Sequence, residues 1–194
     1  MPAMNCSPWM IESAHRYLCA AELLRYQLLD VAQVNAALGM EILLKSFVSV
    51  PDDRFEKSDQ TYERNDELIQ SAHENLRASG AVPDKSRPDR HDLLTLFHAV
   101  PEQIRRQIGL DHHELRITRY RHVFTKSRYP YEKNTQRGSS SALILVLGDM
   151  IPRVIEFYQA QGCEDPFIQG YSKPEVEVGM FLTEADLDPL EDEI

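Results

Sequence analysis

The chain has no apolar run that approaches the ~18–20 residues needed to cross a bilayer; its longest, Ala142 to Leu147, is far shorter. No membrane span is therefore expected. Met1 to Met10 lacks a basic stretch followed by an apolar one, so no secretory leader is expected either. Cysteine is scarce. Cys6, Cys19 and Cys163 are odd in number and far apart, with no Cys-x-x-Cys pair to ligate zinc or run redox chemistry. That pattern predicts no disulfide framework and a reducing, cytoplasmic setting. It also predicts Cys19, between Leu18 and Ala20, as a small core residue. A phosphate-cradling glycine loop is missing, and so is a Gly-x-Ser-x-Gly nucleophile turn. His112-His113-Glu114 gathers potential ligands, but adjacent helical residues diverge and no third ligand stands at helical spacing. No metal and no cofactor is expected.

What is present is globular composition: 42% hydrophobic and 27% charged over 194 residues, enough for one domain with its own core. The net charge of −10 argues at first against nucleic acid. Its distribution reverses that argument locally. After Lys173 stand eight acidic residues and no basic one, which leaves residues 1–173 at only −2. From Leu115 to Arg137 stand Arg116, Arg119, Arg121, Lys126, Arg128, Lys133 and Arg137 against Glu132 alone. A local charge of +6 can attract phosphate even on an acidic protein.

Apolar periodicity predicts an all-α domain over residues 1–162, about five main helices, and an acidic tail over 163–194. Ser7-Pro8 starts a helix, with serine capping and proline at the first position; Trp9, Ala14, Tyr17, Ala21, Leu24 and Leu28 give its stripe to about Gln27. Asp30 caps a second helix, Val31 to Val48, and the short joint makes the two an antiparallel pair. Residues 51–89 are turn-rich and polar and read as an inserted flap, with a mostly exposed helix at Thr61–Ser79. Asp92–Val100 reads as a short amphipathic helix, and Pro101 starts another that stops near Gly109. Asp111 caps a long basic helix running to about Pro130. Ser139-Ser140-Ser141 caps an apolar helix ending at Gly162, with Pro152 kinking it or marking a joint. Beyond Cys163 there is no helical period; Val176 and Val178 alternate as in a short extended segment.

Some residues demand an explanation. On the second helix Val34, Leu38, Glu41, Lys45 and Val48 share a face, and a carboxylate there is costly to bury unless paired. Lys45, one turn on, is a partner in the favoured acid-first order. On the basic helix Ile117, Tyr120, Phe124, Arg128 and Tyr131 form one stripe, which draws Arg128 toward the core. Glu41, Lys45 and Arg128 then form a structural ion pair; a surface pair at the edge of the core is the alternative. The second stripe is Leu115, Arg119, His122, Lys126 and Tyr129. Cations, an imidazole and an aromatic ring on one exposed face suit single-stranded RNA, and an ordinary solvated basic face is the alternative.

Asn35 to Lys45, small residues followed by Glu41-x-x-x-Lys45, resembles the second helix of the HEPN (higher eukaryotes and prokaryotes nucleotide-binding) family. His91-Asp92-Leu93-Leu94-Thr95-Leu96 resembles the histidine-led helix start that follows in that family, and Arg128-Tyr129-Pro130 the ending of its next helix. The resemblance covers roughly residues 9–160, leaving out the flap and the tail. It implies a small helical bundle that forms a homodimer with an RNA-facing cleft. Many members are metal-independent ribonucleases of toxin–antitoxin or phage-defence systems; others only bind. Active members carry an arginine, four to six residues, then a histidine. Here Arg116 and His122 have that spacing, although five intervening residues place them about 240° apart on an unbroken helix. Arg106 and His112 share it across the turn at Gly109. Neither histidine is followed two positions on by the tyrosine of members modified by a nucleotidyltransferase; Phe124 and Glu114 stand there.

The resulting expectation is an RNA-associated, cytoplasmic defence or toxin–antitoxin protein that acts mainly by binding and dimerisation, with Arg119, Lys126 and Tyr129 against RNA. One alternative is a metal-independent endoribonuclease using His122 as general acid/base, with Arg116 or Arg119 stabilising phosphate charge. Another is a protein–protein module whose acidic tail or flap docks an antitoxin or other partner without touching RNA.

Overall fold

A computed structural model describes residues 7–52, 61–129, 131–133, 135 and 138–172. The expectations for Cys6, Pro130, Arg137, the Val176/Val178 alternation and the acidic tail lie outside the described residues. Helix α1, Pro8–Leu24, and helix α2, Leu29–Lys45, pack side by side across a four-residue turn. Proline takes the first position of α1, where its missing N–H costs nothing. Ser7 does not cap with its side chain as expected; its backbone carbonyl accepts from the Met10 and Ile11 N–H groups instead. Asp30 lies inside the first turn of α2 rather than before it, where an acid still suits the helix dipole.

The close approach of these helices follows from small side chains. Ala14 and Ala21 of α1 and Ala32, Ala36, Ala37 and Gly39 of α2 are all buried. Gly39 sits where the third long helix, α8, Ala142–Ala160, crosses the pair. A Cβ there would lie 2.6 Å from Leu147 Cδ2 and 3.2 Å from both the Ala14 carbonyl oxygen and Tyr17 Cβ. Leu147 can turn away, but the backbone of α1 cannot. Gly39→Val is therefore expected to cost about 1–3 kcal/mol through overpacking, read as a lowered urea midpoint; an unchanged midpoint would mean that the helices part freely.

Helix α8 buries Leu143, Ile144, Val146, Leu147, Met150, Ile151, Val154 and Ile155 and packs on both α1 and α2. It runs through Pro152 as one helix, so the expected joint is absent. Proline there removes one rung, to the Gly148 carbonyl, and apolar packing on either side outweighs the loss.

The chain is mostly helical, with one small sheet among the described residues that the sequence did not suggest. β1, Ser49–Pro51, pairs antiparallel with β2, Tyr62–Arg64, in the register Val50 to Glu63. Helix α3, Asp66–Ala78, follows, its first turn capped by the Asn65 side chain, which accepts from Leu68 N–H at 3.1 Å. It is mostly exposed, as expected. Its one buried stripe, Ile69, Ala72, His73 and Leu76, lies against helix α4, Leu93–Ala99. His73 Nε2 meets the Ser86 hydroxyl at 3.2 Å and ties the following loop down. Helix α5, Glu102–Gln107, ends at Gly109, whose φ of 72° is the left-handed conformation that favours glycine. Near the described C-terminal end, helix α9, Pro166–Gly170, packs on α1 and α8 through a fully buried Ile168. No helix was expected there.

Two cysteine expectations need correction. Cys163 is disulfide-bonded, which removes the argument for a reducing compartment built on unpaired thiols. Cys19 is free but exposed, because the core stripe of α1 passes through Leu18 and Ala21; its sulfur lies 3.7 Å from His15 Nε2. Among the described residues no helix is long and apolar enough to cross a membrane.

Candidate functional site

The basic segment is not the single helix expected. It consists of a 3₁₀ turn, Leu110–His113, helix α6, Glu114–Arg119, a turn through Tyr120, Arg121 and His122, and helix α7, Val123–Lys126. A buried carboxylate causes the break. Asp92 is 3% exposed, caps α4, and receives Arg121 Nε at 2.7 Å and Nη2 at 2.5 Å, a two-pronged pair. The Arg121 carbonyl accepts the Leu93 N–H at 3.2 Å, which removes it from helical bonding. Thr95 donates to Asp92 Oδ2 at 2.6 Å. Burial alone would raise the Asp92 carboxyl, yet the hydrogen bonds from Arg121 and Thr95 hold it below the usual carboxylate range. On the far side Tyr120 OH donates to Ser140 Oγ at 3.0 Å, and Ser140 N–H donates to Gln33 of α2 at 2.5 Å. The turn is thus pinned from two directions.

With the helix broken, the inner stripe reckoned at helical spacing holds only as far as Phe124, while Leu115, Arg119, Lys126 and Tyr129 of the outer stripe are exposed. Ile117 is buried, and Tyr120 and Phe124 pack on the core, but Arg128 lies beyond the end of α7 and is exposed. It is therefore not the partner of Glu41, a correction to the expected pair. The arginine drawn inward is Arg121. Glu41, 4% exposed, holds Lys45 Nζ at 2.5 Å and His91 Nδ1 at 2.9 and 3.1 Å. His91 takes the place assigned to Arg128. Its side chain is 40% exposed, and its own N–H donates to Asp89 Oδ1 at 2.9 Å.

From His91 a run of rings and cations leads outward. Phe124 lies 5.5 Å from the His91 ring, and the Arg128 guanidinium stands 4.9 Å from the Phe124 centroid and 4.8 Å from that of Tyr129. Tyr131, 82% exposed, is 6.0 Å from Tyr129. Among the described residues Arg128 has no carboxylate partner. Arg119, over the Tyr120 ring at 5.7 Å, and Lys126 are exposed nearby in sequence, as is Leu115.

Arg116 lies in α6 and His122 at the end of the turn, and among the described residues no hydrogen bond, ion pair or ring contact joins them. Burial lowers the His122 imidazole below its ordinary value; Arg121 and Lys126 add to this against the pull of Asp92. Arg106 is paired with Glu102 on an exposed turn, and His112 is exposed, again without a contact between them. Among the described residues no group of three His, Cys, Asp or Glu side chains is placed to hold a metal ion.

His91 was passed over as a reactive group, although its sequence position gave a signal. Asp89, which accepts the His91 backbone N–H, and Asp92, which caps α4, flank it and fix the backbone around it. Comparison of the chain with protein-family models, with curated proteins and with solved structures returned no match.

Proposed function

We propose that the chain is an HEPN-like, RNA-associated protein, a homodimer of a bacterial defence or toxin–antitoxin type system, that works mainly by binding single-stranded RNA. A cytoplasmic location belongs to this reading through its RNA partner rather than through its cysteines. The observation that carries it is Arg128: an exposed guanidinium with no carboxylate partner among the described residues, lying between Phe124 and Tyr129, with Tyr131 beyond. Aromatic faces stack bases of any sequence while guanidinium groups meet phosphate. Arg121 could not serve in this way, since Asp92 occupies it. Arg119 and Lys126 extend the positive surface.

The test is fluorescence anisotropy with a labelled single-stranded RNA pool over a salt series. Tyr129→Ala is expected to weaken binding at every salt concentration by about 1–3 kcal/mol, the worth of one stacked base. The double variant Arg119→Ala/Lys126→Ala should instead flatten the salt dependence, each lost phosphate contact reducing the slope by roughly 0.7 for a single strand. Wild-type protein with no measurable affinity for RNA would end this reading.

A second reading, a protein–protein module, is favoured by a different observation. At the α1–α2 turn Leu23 is 82%, Tyr26 72% and Leu28 49% exposed. An apolar patch at one end of the helix pair also suits the face of a dimer.

A further inference from the structure

We propose that the acidic segment 174–194 is the intramolecular occupant of the basic, ring-bearing surface, so that the protein carries its own competitor for RNA. The competition rests on the RNA reading above; the docking stands without it. The foundation is a set of cations left over by the fold. Several exposed cations elsewhere are neutralised within one helix, Arg16 by Glu12, Arg106 by Glu102 and Arg153 by Asp149. Arg119, Lys126, Arg128 and Lys133 are exposed, and among the described residues none of them has a carboxylate partner. The complementary charge stands after Lys173, where eight acids follow with no basic residue between them. Opposite charges at this density on one chain attract. The apolar patch at the α1–α2 turn offers the segment no such surplus, since Arg25 there is paired with Glu22.

The segment matches the surface in chemistry as well as in sign. Its carboxylates meet the guanidinium and ammonium groups that phosphates would meet. Met180, Phe181 and Leu182, set among the acids, supply apolar contact for Tyr129 and Tyr131, the exposed rings on which bases would stack. Reach is no obstacle. The described chain leaves the fold just past α9, which packs on α1 and α8, and α8 in turn meets α6 of the basic segment. The 22 residues from Lys173 to Ile194 span up to about 70 Å when extended, against a radius of gyration of roughly 16 Å for a fold of this length. Tethering gives the segment an effective concentration on the order of millimolar, so a contact with a Kd of about 0.1 mM is about nine-tenths formed.

Two measurements on the full-length protein test this. The first is cross-linking at low salt with a carbodiimide, which joins a carboxylate to an amine in direct contact, followed by mapping of the products. Bonds from the acids of 174–194 to Lys126 or Lys133 are expected, at a yield that is unchanged by dilution and falls at high salt. Bonds confined to other lysines overturn the inference, as does their absence. A yield that falls on dilution overturns it too, because it places the segment on a second copy. The second measurement replaces the eight acids by their amides, Glu175→Gln, Asp186→Asn and the six corresponding changes, and follows binding of a single-stranded RNA pool by anisotropy. The amide variant is expected to bind about tenfold more tightly than wild type at low salt, with a gap that closes as salt rises. A peptide of residues 174–194, added at about millimolar concentration, should return the variant to wild-type affinity. A gap that the peptide does not close is plain charge repulsion and overturns the inference. Equal affinities overturn the competition while the RNA reading stands. RNA bound by neither form ends the RNA reading, and the cross-links alone then decide the docking.

Discussion

Arg121→Ala is expected to be among the most damaging single changes in this protein, costing about 3–5 kcal/mol, because it strands a carboxylate that the fold has already taken out of water. The side chain of Asp92 is 3% exposed and that of Arg121 16%, so neither is screened as a surface ion pair would be. At roughly 2–4 °C per kcal/mol for a chain of this size, the melting temperature should drop by about 10 °C or somewhat more. The pH dependence gives an independent check. The folded Asp92 carboxyl lies below its ordinary value, so its stabilising contribution is present above the ordinary range near 4 and is lost as pH falls through the depressed value. The gap between wild type and Arg121→Ala should therefore be widest near neutrality and close in acid. A gap under about 1 kcal/mol at neutral pH, the size of an exposed pair, would show that the turn is held by backbone bonding alone.

The second large effect is expected at Glu41. Glu41→Leu leaves Lys45 with its charge mostly covered and removes the acceptor of His91, so a loss of about 3–5 kcal/mol is expected in denaturant. The double variant Glu41→Leu/Lys45→Met should recover most of it, since two apolar residues of similar volume need no partner. Recovery is the informative outcome. A double variant as unstable as the single one would place the main debt on His91 rather than on Lys45.

These two ion pairs also mark where sequence reasoning reaches and where it stops. Glu41–Lys45 was legible because both residues lie on one helix one turn apart, and periodicity alone puts them together. The long helices α1, α2 and α8 were legible for the same reason, each carrying an apolar stripe across four turns or more. The break in the basic segment was not. It depends on Asp92 and Arg121, 29 residues apart, and on a Leu93 N–H that bonds the Arg121 carbonyl, a contact no local pattern announces. Once the break is missed, helical spacing no longer fixes positions past the end of α7; hence Arg128 was assigned to the core when it stands in solvent, although Phe124 still packs inward. His91 reaches Glu41 over 50 residues, and only the aspartates on either side of it hinted that its place was fixed. Helix α3 was legible as mostly exposed because its apolar residues are few, and Ile69, Ala72 and Leu76 fall on the one side that meets α4.

His91 is held at three points: its amide by Asp89, its Nδ1 by Glu41, and its ring flank by Phe124. A side chain ordinarily surrenders rotational freedom when a ligand arrives, about 0.5–1.5 kcal/mol for each one immobilised. Here that entropy is lost when the chain folds, before any RNA is present. Any ligand meeting this surface would find the imidazole already in place, and the ordering left to be done would fall almost wholly on the ligand itself.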